Sequence, residues 1–310
     1  MPFIAAFGSY LPSKIVTNSE LAELLGCTPE WIREASGIEE RRYAGPEESV
    51  DVLAANAGRS CLEQASVKAD QVGMLIVASG SAEHRFPGPA SRVAKHLGLR
   101  DVAALDLPMA SSGALFGMSL AAQIADRYEN ILVIAAEKMS SVVSQPPVDK
   151  NIAILFGDGA GSCLIRRDSG KFRILDSVLH SDGSFAADLQ LSQGQPLQMN
   201  GRSVIMQATR KIPAVIQEVL ARNARTASGI ECFLLHQANQ NLMDRVARSL
   251  EVPNDRIYSN IRKYGNTSSA SMLIAAAEWW QGRDAAAPPG TICFAVFGAG
   301  FHWGALLAEA

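Results

Sequence analysis

The chain has 310 residues, of which 48% are hydrophobic and 19% are charged. This composition can bury a large core and excludes a disordered chain. The formal net charge of −3 and the pI near 6.0 exclude the basic surface of a nucleic-acid-binding protein. The length exceeds about 100–200 residues per domain and predicts one large or two fused domains.

Cysteine usage and the N-terminus bear on the cellular compartment. The five cysteines are scattered and never spaced as pairs of metal ligands, so we expect no metal site. Their odd number and wide spacing are typical of the reducing cytoplasm. The first residues lack the basic and then apolar layout of a signal peptide, and no apolar run reaches the roughly 18–20 residues of a membrane span. We therefore expect a soluble cytoplasmic protein without a membrane partner.

The first half of the chain alternates predicted strands and helices. Apolar runs bounded by glycine have the length of buried strands, and Gly98 ends a helical stretch as a C-terminal glycine does. In chain order the predicted elements are a strand at 74–79, a helix at 90–97, a strand at 102–107, a helix starting near Ser111, a strand at 131–135 and a hairpin around 156–161.

The second half repeats this order. It has predicted strands at 233–236, 256–261 and 292–297, helices at 241–250 and 266–280, and a final glycine-rich turn at 298–300. Strands that alternate with helices imply right-handed crossovers and mainly parallel sheets that are buried on both faces. We therefore predict an α/β fold of two duplicated βαβ-type halves, residues 1–168 and 169–310, stacked in about five layers.

This duplication brings polar residues together. Ser111 and Asn266 begin the equivalent helices of the two halves, and His236 closes a strand of the second half. Ligands of α/β folds lie at the carboxyl ends of strands and the N-termini of helices, where free backbone N–H groups favour negative charge. We expect these three residues to converge at the centre of the molecule.

Several motifs, in register over essentially the whole chain, carry a resemblance to a known family. They are GSYLP at 8–12, TPEWI at 28–32, SGIEER at 36–41, FGDGAG at 156–161, HQAN at 236–239, GNTSSAS at 265–271 and FGAGFHWG at 297–304. The chain resembles β-ketoacyl-acyl carrier protein synthase III. The resemblance implies a thiolase-like αβαβα fold, a homodimer and a Cys-His-Asn catalytic set. It also implies acyl-CoA and acyl carrier protein as substrate carriers, with no separate cofactor.

The family's catalytic roles transfer to three positions, one of which departs from the pattern. His236 and Asn266 match the pair that stabilises the thioester enolate after a malonyl group loses carbon dioxide. The family nucleophile is a cysteine, and here Ser111 occupies its position. The resemblance also implies that the backbone N–H groups of Ser111 and Ala299 form the oxyanion hole.

Three interpretations of Ser111 remain open. In the first, Ser111 is a native nucleophile and His236 acts as its base. In the second, it is an engineered replacement of cysteine. In the third, it marks a non-catalytic acyl-binding or heterodimer-partner subunit. A hydroxyl needs a general base, whereas a thiol at a helix N-terminus ionises readily. The leading hypothesis is an acyltransferase that loads Ser111 from acyl-CoA. The acyl group then passes to a malonyl thioester by decarboxylative condensation, or to another acceptor, in fatty-acid or polyketide-starter synthesis.

The predicted substrate contacts match the family less closely. The resemblance implies contacts at Trp31, which would stack on adenine, at Phe86, which a partner subunit would insert, and at Lys150, Phe156, Ile205 and Asn239. Family arginines or lysines are replaced by Ala35, Asn241 and Met206, which weakens phosphate recognition. Arg202 and Arg210 are candidate substitutes. These departures favour a specialised starter-unit enzyme over housekeeping fatty-acid initiation.

Overall fold

The computed structural model describes residues 1–284 and 288–310. Its first part ends with a long strand at Arg166. The elements of this part are β1 (Phe3–Tyr10), β2 (Lys14–Thr17), α1 (Asn18–Leu25), α2 (Pro29–Ser36), β3 (Glu40–Tyr43), α3 (Val50–Ala65), β4 (Met74–Ala78), α4 (Pro89–Leu97), β5 (Ala103–Leu107), α5 (Gly113–Ile124), β6 (Asn130–Lys138), α6 (Met139–Val143), α7 (Lys150–Ala153) and β7 (Asp158–Arg166).

The second part repeats the alternation of strands and helices. Its elements are β8 (Phe172–Ser181), β9 (Leu189–Gln190), β10 (Gln198–Met199), α8 (Gly201–Arg222), β11 (Cys232–Leu235), α9 (Gln240–Ser249), α10 (Ile261–Tyr264), α11 (Ser271–Gln281), β12 (Thr291–Gly298) and β13 (His302–Glu309). Among the helices of the described residues, none combines the length and the apolar character needed to cross a membrane.

The main sheet runs in the order β11-β12-β13-β8-β1-β7-β6-β4-β5. Strand β4 pairs in parallel with β5 and β6, and β11 pairs in parallel with β12, but β7 and β13 are antiparallel to their neighbours. The prediction of mainly parallel sheets is therefore wrong. One cause is the short connection between β12 and β13, residues 299–301, because a parallel pair needs a crossover of a dozen or more residues.

The sheet forms two parts that meet where β1 pairs with β8, at Phe3 and Ile4. Helices α5 and α11 contact strands of both parts and lie between them. Helices α3 and α4 cover the outer face of one part, and α8 packs on β12 and β13 beside α9 to cover the other. The predicted five-layered αβαβα arrangement is thus confirmed.

Helix α5 is the centre of this arrangement. Ala114, Leu115 and Met118 are fully buried, and the helix contacts both parts of the sheet. A helix that is apolar on all sides is expected in such a position. Gly117 permits the close approach, since a Cβ there would lie 3.0 Å from a methyl group of Val133. The N-terminus of α5 therefore lies deep inside the protein.

Two predicted elements are wrong. Residues 256–261 form no strand: Ile257 makes a single bridge to Phe233, and α10 begins at Ile261. Residues 156–161 are no hairpin: Phe156 makes an isolated bridge to Asn266, and the long strand β7 begins at Asp158. The glycines there mark close packing, because a Cβ on Gly161 would lie 2.7 Å from the Leu273 side chain of α11.

Candidate active site

Ser111 lies in a sharp turn between β5 and α5. Its φ of 61° is left-handed, and the Ser112 N–H donates to the carbonyl of Ala110 at 2.7 Å. Strained backbone of this kind is concentrated at functional sites. The helix begins at Gly113 rather than at Ser111, so the predicted helix start is corrected. The Ser112 hydroxyl donates back to Ala110, whereas Ser111 lines a cavity.

The end of β12 passes directly against this turn. A Cβ on Gly298 would lie 2.6 Å from the carbonyl oxygen of Ala110 and 2.9 Å from the Cβ of Ser111. Under about 3 Å such contacts force the backbone apart, so only glycine permits this packing. The glycine-rich turn therefore shapes the surroundings of Ser111 by close approach of backbone.

His236 follows β11 and extends its parallel pairing with β12. Its N–H donates to the carbonyl of Ala295 at 3.0 Å, and its Nδ1 lies 2.6 Å from the Oγ of Ser271. Burial lowers the pKa of His236 to about 4, and a hydrogen bond to the backbone of Ser268 offsets only part of this effect. The imidazole is neutral at pH 7 and can accept a proton.

Asn266 precedes α11 without belonging to it. The helix begins at Ser271, after a 3₁₀ turn at Ser268–Ala270, so the predicted helix start at Asn266 is corrected. The cause is the left-handed φ of 46° at Ser268. The Ser268 N–H donates to the Oδ1 of Asn266 at 2.8 Å. Because its oxygen is engaged, the amide keeps its NH₂ group as the free donor.

Ser268 also contacts the turn that carries Ser111. The Ser111 N–H, a predicted oxyanion-hole donor, donates to the Ser268 Oγ at 3.0 Å. A carbonyl oxygen that used this donor would have to displace the hydroxyl. The second predicted donor, Ala299, lies in the turn between β12 and β13, next to the cavity-lining Gly298.

A buried carboxylate is hydrogen-bonded to the segment that precedes α11. Glu137, in β6, accepts hydrogen bonds from the hydroxyls of Ser81 at 2.5 Å and Ser269 at 2.6 Å, and from the N–H of Gly80 at 3.1 Å. Burial raises the pKa of Glu137. The carboxylate ties the turn before α11 to the ends of β4 and β6.

Ser111, His236 and Asn266 all line one cavity of about 100 Å³, and each is buried. Most of the remaining wall is apolar and comprises Leu155, Phe156, Leu189, Met199, Val204, Ile205, Ala208, Ile212, Leu242 and Phe297. One face of α8 supplies positions 201, 204, 205, 208 and 212, a helical spacing that sequence reasoning could have found. The cavity joins three polar groups to an apolar space.

The predicted substrate residues fall into two groups. Phe156, Ile205 and Asn239 line the cavity. Trp31 and Lys150 lie together outside it, with the Lys150 Nζ 5.7 Å from the centre of the Trp31 ring. Phe86 is 89% exposed and does not line the cavity.

Three arginines of α8 and α9 lie at the protein surface next to the cavity. Arg202, Arg210 and Arg245 border a surface depression together with Ile205 and Met206. Ile205 also lines the cavity, so the depression adjoins it. Sequence reasoning named Arg202 and Arg210 as candidates but missed Arg245, which comes from α9.

Hydrogen bonds from Asn239 and Asn241 join the start of α9 to the end of α2. Asn239 caps α9 by accepting the N–H of Asn241 at 2.9 Å, and its own amide donates to the carbonyl of Ala35 at 2.8 Å. Asn241, where an arginine was expected, donates to the carbonyl of Glu34 at 3.0 Å. These amides join α2 to α9.

Three residues of the site carried no signal in the sequence analysis: Glu137, Ser268 and Ser271. The last two stand inside the GNTSSAS motif, and Glu137 stands inside an apolar strand, so only their contacts reveal them.

Comparison with known proteins identifies the family. The model of 3-oxoacyl-[acyl-carrier-protein (ACP)] synthase III matches residues 105–183, and the model of its C-terminal region matches residues 220–310. The β-ketoacyl-[acyl-carrier-protein] synthase III of Caldanaerobacter subterraneus is 35% identical over 318 aligned residues, covering 97% of this chain and 95% of the relative.

Comparison with solved structures identifies the same family. The 3-oxoacyl-[acyl-carrier-protein] synthase III of Aquifex aeolicus superposes with a TM-score of 0.94 at 32% identity and full coverage of both chains. A priming β-ketosynthase of a polyketide biosynthetic pathway superposes with a TM-score of 0.92 at 28% identity, covering 100% of this chain and 96% of that one. The chain belongs to the β-ketoacyl-[acyl-carrier-protein] synthase III family of acyltransferase-type condensing enzymes.

Proposed function

We propose that this protein takes an acyl group from acyl-CoA onto Ser111 and passes it to a malonyl thioester, or to another acceptor, in fatty-acid or polyketide-starter synthesis. The observation that supports this most is the meeting of Ser111, His236 and Asn266 at one cavity whose other walls are mainly apolar. Apolar walls suit an acyl chain, and the polar groups suit the thioester. CoA enters the reaction as part of the substrate acyl-CoA, and we expect no separate cofactor.

In the first step the Ser111 hydroxyl attacks the thioester carbon. His236 accepts the hydroxyl proton, the carbon–sulfur bond breaks, and the departing thiolate takes the proton from His236. The products are an acyl ester of Ser111 and free CoA thiol. A base with a pKa of about 4 is weak, so this acylation is slower than that of a cysteine enzyme.

In the second step a malonyl thioester loses carbon dioxide. His236 takes up a proton from solvent and, with the Asn266 NH₂ group, stabilises the enolate oxygen. The enolate carbon attacks the acyl ester, the bond between the acyl carbon and the Ser111 oxygen breaks, and the proton passes from His236 to that oxygen. The acceptor can instead be a hydroxyl or amine, in which case no carbon dioxide is released.

Arg202, Arg210 and Arg245 are the proposed contacts for the charged part of the substrate carrier. They adjoin the cavity through Ile205, and they supply the positive charge that Ala35, Asn241 and Met206 do not. Neutralising them should raise KM for an acyl or malonyl carrier protein more than it lowers kcat. An unchanged KM in the triple alanine variant contradicts this assignment.

The direct test is intact-protein mass spectrometry after incubation with a panel of acyl-CoAs. We expect a covalent adduct on Ser111 with at least one donor, none in Ser111→Ala, and retention in Ser112→Ala as the adjacent control. Loss of condensation in His236→Ala and Asn266→Ala supports their roles. The absence of an adduct with every donor favours instead a non-catalytic acyl-binding subunit or a partner in a heterodimer.

The Ser111→Cys variant tests whether serine replaced a native thiol. A thiol at a helix N-terminus ionises without a base, so a large gain in acylation rate, of about a hundredfold or more, indicates an engineered or degenerate site. A rate that stays within a few-fold of the original indicates a site adapted to serine.

We further propose that two copies form a homodimer through β5. This strand is the edge of the main sheet, with Ala103 and Ala104 exposed and the nearby loop presenting Phe86 to solvent. An uncovered edge strand is a template for pairing with another chain. The proposed location is the cytoplasm, where the five free cysteines remain reduced.

A further inference from the structure

Glu137 is a buried carboxylate to which the reaction outlined above gives no role. It belongs to β6, its exposed fraction is 0%, and no basic side chain within residues 1–284 and 288–310 forms a salt bridge with it. Burying a charge without an opposite charge is costly. A charged group that a mainly apolar strand keeps at such a cost is expected to serve a function.

The two oxygens of this carboxylate face different segments of the chain. Oε1 accepts the N–H and the hydroxyl of Ser269, at 3.3 and 2.6 Å. Oε2 accepts the hydroxyls of Ser79 and Ser81, at 3.3 and 2.5 Å. The N–H of Gly80 lies 3.1 Å from both oxygens. One side chain therefore joins the end of β4 to the turn that precedes α11.

Both of the joined segments contact the nucleophile turn, residues 108–112. On the β4 side, a Cβ on Gly80 would lie 2.7 Å from the Cβ of Ala110, so the two backbones are in close contact. On the α11 side, Ser268, which directly precedes the serine bonded to Oε1, accepts the Ser111 N–H on its Oγ at 3.0 Å. The nucleophile turn thus lies between the two segments that the carboxylate joins.

The start of α5 is enclosed in the same way. A Cβ on Gly113 would lie 2.7 Å from the Cβ of Ala78, the last residue of β4, and 3.7 Å from the Cβ of Ser269. The separation of β4 from the turn before α11 therefore sets the space for the first residue of the helix. A carboxylate that bonds both segments fixes that separation.

We propose that Glu137 is a positioning residue that holds the nucleophile turn in place by joining the end of β4 to the turn before α11. Glu137 does not line the cavity, so it acts through the segments that it bonds. The φ of 61° at Ser111 is a strained conformation that the surrounding structure has to maintain. This inference rests on the proposed function, because it concerns the placement of the Ser111 hydroxyl.

The placement of this hydroxyl affects the rate of acylation more than the binding of acyl-CoA. Attack requires the Ser111 Oγ within about 3–3.5 Å of the thioester carbon, and a displacement of about 1 Å can cost about a hundredfold in rate. The apolar wall that α8 contributes to the cavity makes no hydrogen bond to Glu137. Loss of the carboxylate should therefore lower kcat and leave KM nearly unchanged.

The first experiment locates the nucleophile turn and needs no acyl transfer. Crystal structures of the unaltered protein and of Glu137→Gln give the distance from the Ser111 nitrogen to the Ser268 Oγ, which is 3.0 Å here. The glutamine NH₂ group replaces one of the two acceptor oxygens, so one of the joined segments is released. We expect this distance to exceed about 3.5 Å in the variant, which breaks the hydrogen bond. A turn that keeps its place in Glu137→Gln overturns the proposal.

The second experiment measures acylation by acyl-CoA. Glu137→Gln should slow acylation of Ser111 by about tenfold or more and change KM by less than about threefold. Ser268→Ala removes the acceptor of the Ser111 N–H. The double variant should be little slower than the slower single variant, because both changes act on the same contact. Losses that multiply in the double variant, or a rise in KM without a loss of rate, count against the proposal.

The matched control is Ser162→Ala, which removes a buried hydroxyl bond to the carbonyl of Ala57 in another part of the protein. It should leave the nucleophile turn and the acylation rate unchanged, and equal slowing in this control contradicts the proposal. If Glu137→Gln does not fold, Ser269→Ala replaces it, because that variant removes only one hydroxyl bond to the carboxylate. If the unaltered protein forms no acyl adduct with any donor, the proposed function fails, while the crystal structures still test the position of the turn.

Discussion

Some polar residues in the interior of this protein have several hydrogen-bond partners each. Glu137 accepts from the hydroxyls of Ser81 and Ser269, and the Ser271 Oγ accepts from the Gln237 N–H and lies 2.6 Å from the His236 Nδ1. Buried polar groups are costly without such partners. The effect of a substitution on stability therefore depends on which hydrogen-bond partners of the replaced side chain are left unpaired.

The titration of His236 should make stability depend on pH. Burial lowers its pKa from 6.5 to about 4, so between these values the unfolded chain binds more protons than the native protein. The free energy of unfolding must then fall as the pH is lowered through this window, by about 2 kcal/mol from this group between about pH 7 and pH 5.

His236→Gln removes this group, and urea denaturation at both pH values measures the effect. The stability difference between the unaltered protein and the variant should shift by that amount in favour of the variant at the lower pH. A difference that does not change with pH would mean that His236 is not titrated as described.

Replacing Glu137 by Gln should destabilise the protein. Ser81 and Ser269 donate to different oxygens of the carboxylate, so the NH₂ group of glutamine removes the acceptor of one of these two hydroxyls, and an unpaired buried donor costs about 1–3 kcal/mol. We expect the free energy of unfolding to fall by about 1–3 kcal/mol in denaturant titration. Ser79→Ala removes a bond of 3.3 Å to the same carboxylate and also the acceptor of the Ser81 N–H at 3.2 Å, so it should cost about 1 kcal/mol.

At the scale of elements, the site is assembled by the ends of β5, β11 and β12 and the starts of α5 and α11. The chain supplies these ends from distant positions, as the contact between Ser111 and Ser268 shows. The close approach of these strand ends and helix starts depends on glycines, because a Cβ at such a position would push the two backbones apart. The position of Ser111 is therefore sensitive to residues that never contact substrate.

Gly298→Ala tests this dependence. Its Cβ would meet the Ala110 carbonyl oxygen at 2.6 Å, so we expect a loss of about 1–3 kcal/mol in stability. Displacement of the turn by about 1 Å should slow acylation of Ser111 about a hundredfold. Gly183→Ala is the control, because a Cβ at that glycine has no neighbour within 4 Å. Similar rates for both variants would contradict the argument.

At the scale of the whole molecule, two parts of a mixed sheet enclose two central helices, and one edge of the sheet remains open at β5. The five layers bury the site between them. The open edge carries exposed alanines, and the one charged residue of β5, Asp106, is partly buried and accepts a hydrogen bond from the Ala90 N–H at 2.7 Å, so it does not protect the edge as exposed charges do. This contrast is the basis for expecting a dimer.

Sedimentation equilibrium at micromolar concentration should give twice the 33.1 kDa mass of one chain. Ala104→Lys places a charge on the edge strand and should shift the protein towards the monomer. Ala221→Lys, on an exposed position of α8, should leave the mass unchanged. A monomer in the unaltered protein at this concentration contradicts the proposed homodimer.

The amino-acid sequence by itself predicted much of this molecule. Strand β4 and helix α4 were found at nearly their observed bounds, because apolar runs and a helix-ending glycine are local signals. The motifs identified the family, the layered fold and the three polar residues that now line one cavity. The antiparallel pairs and the true start of α11 were missed, since both depend on packing between distant segments.

Only the tertiary structure decided which groups surround those three residues. Ser268 is 157 positions from Ser111, and Ser269 is 132 positions from Glu137, yet each pair is hydrogen-bonded. Periodicity and propensity describe neighbours along the chain, whereas these bonds depend on how closely β6, β12 and α11 pack. A serine beside a histidine ring looks, in the sequence, like any other serine at a helix start.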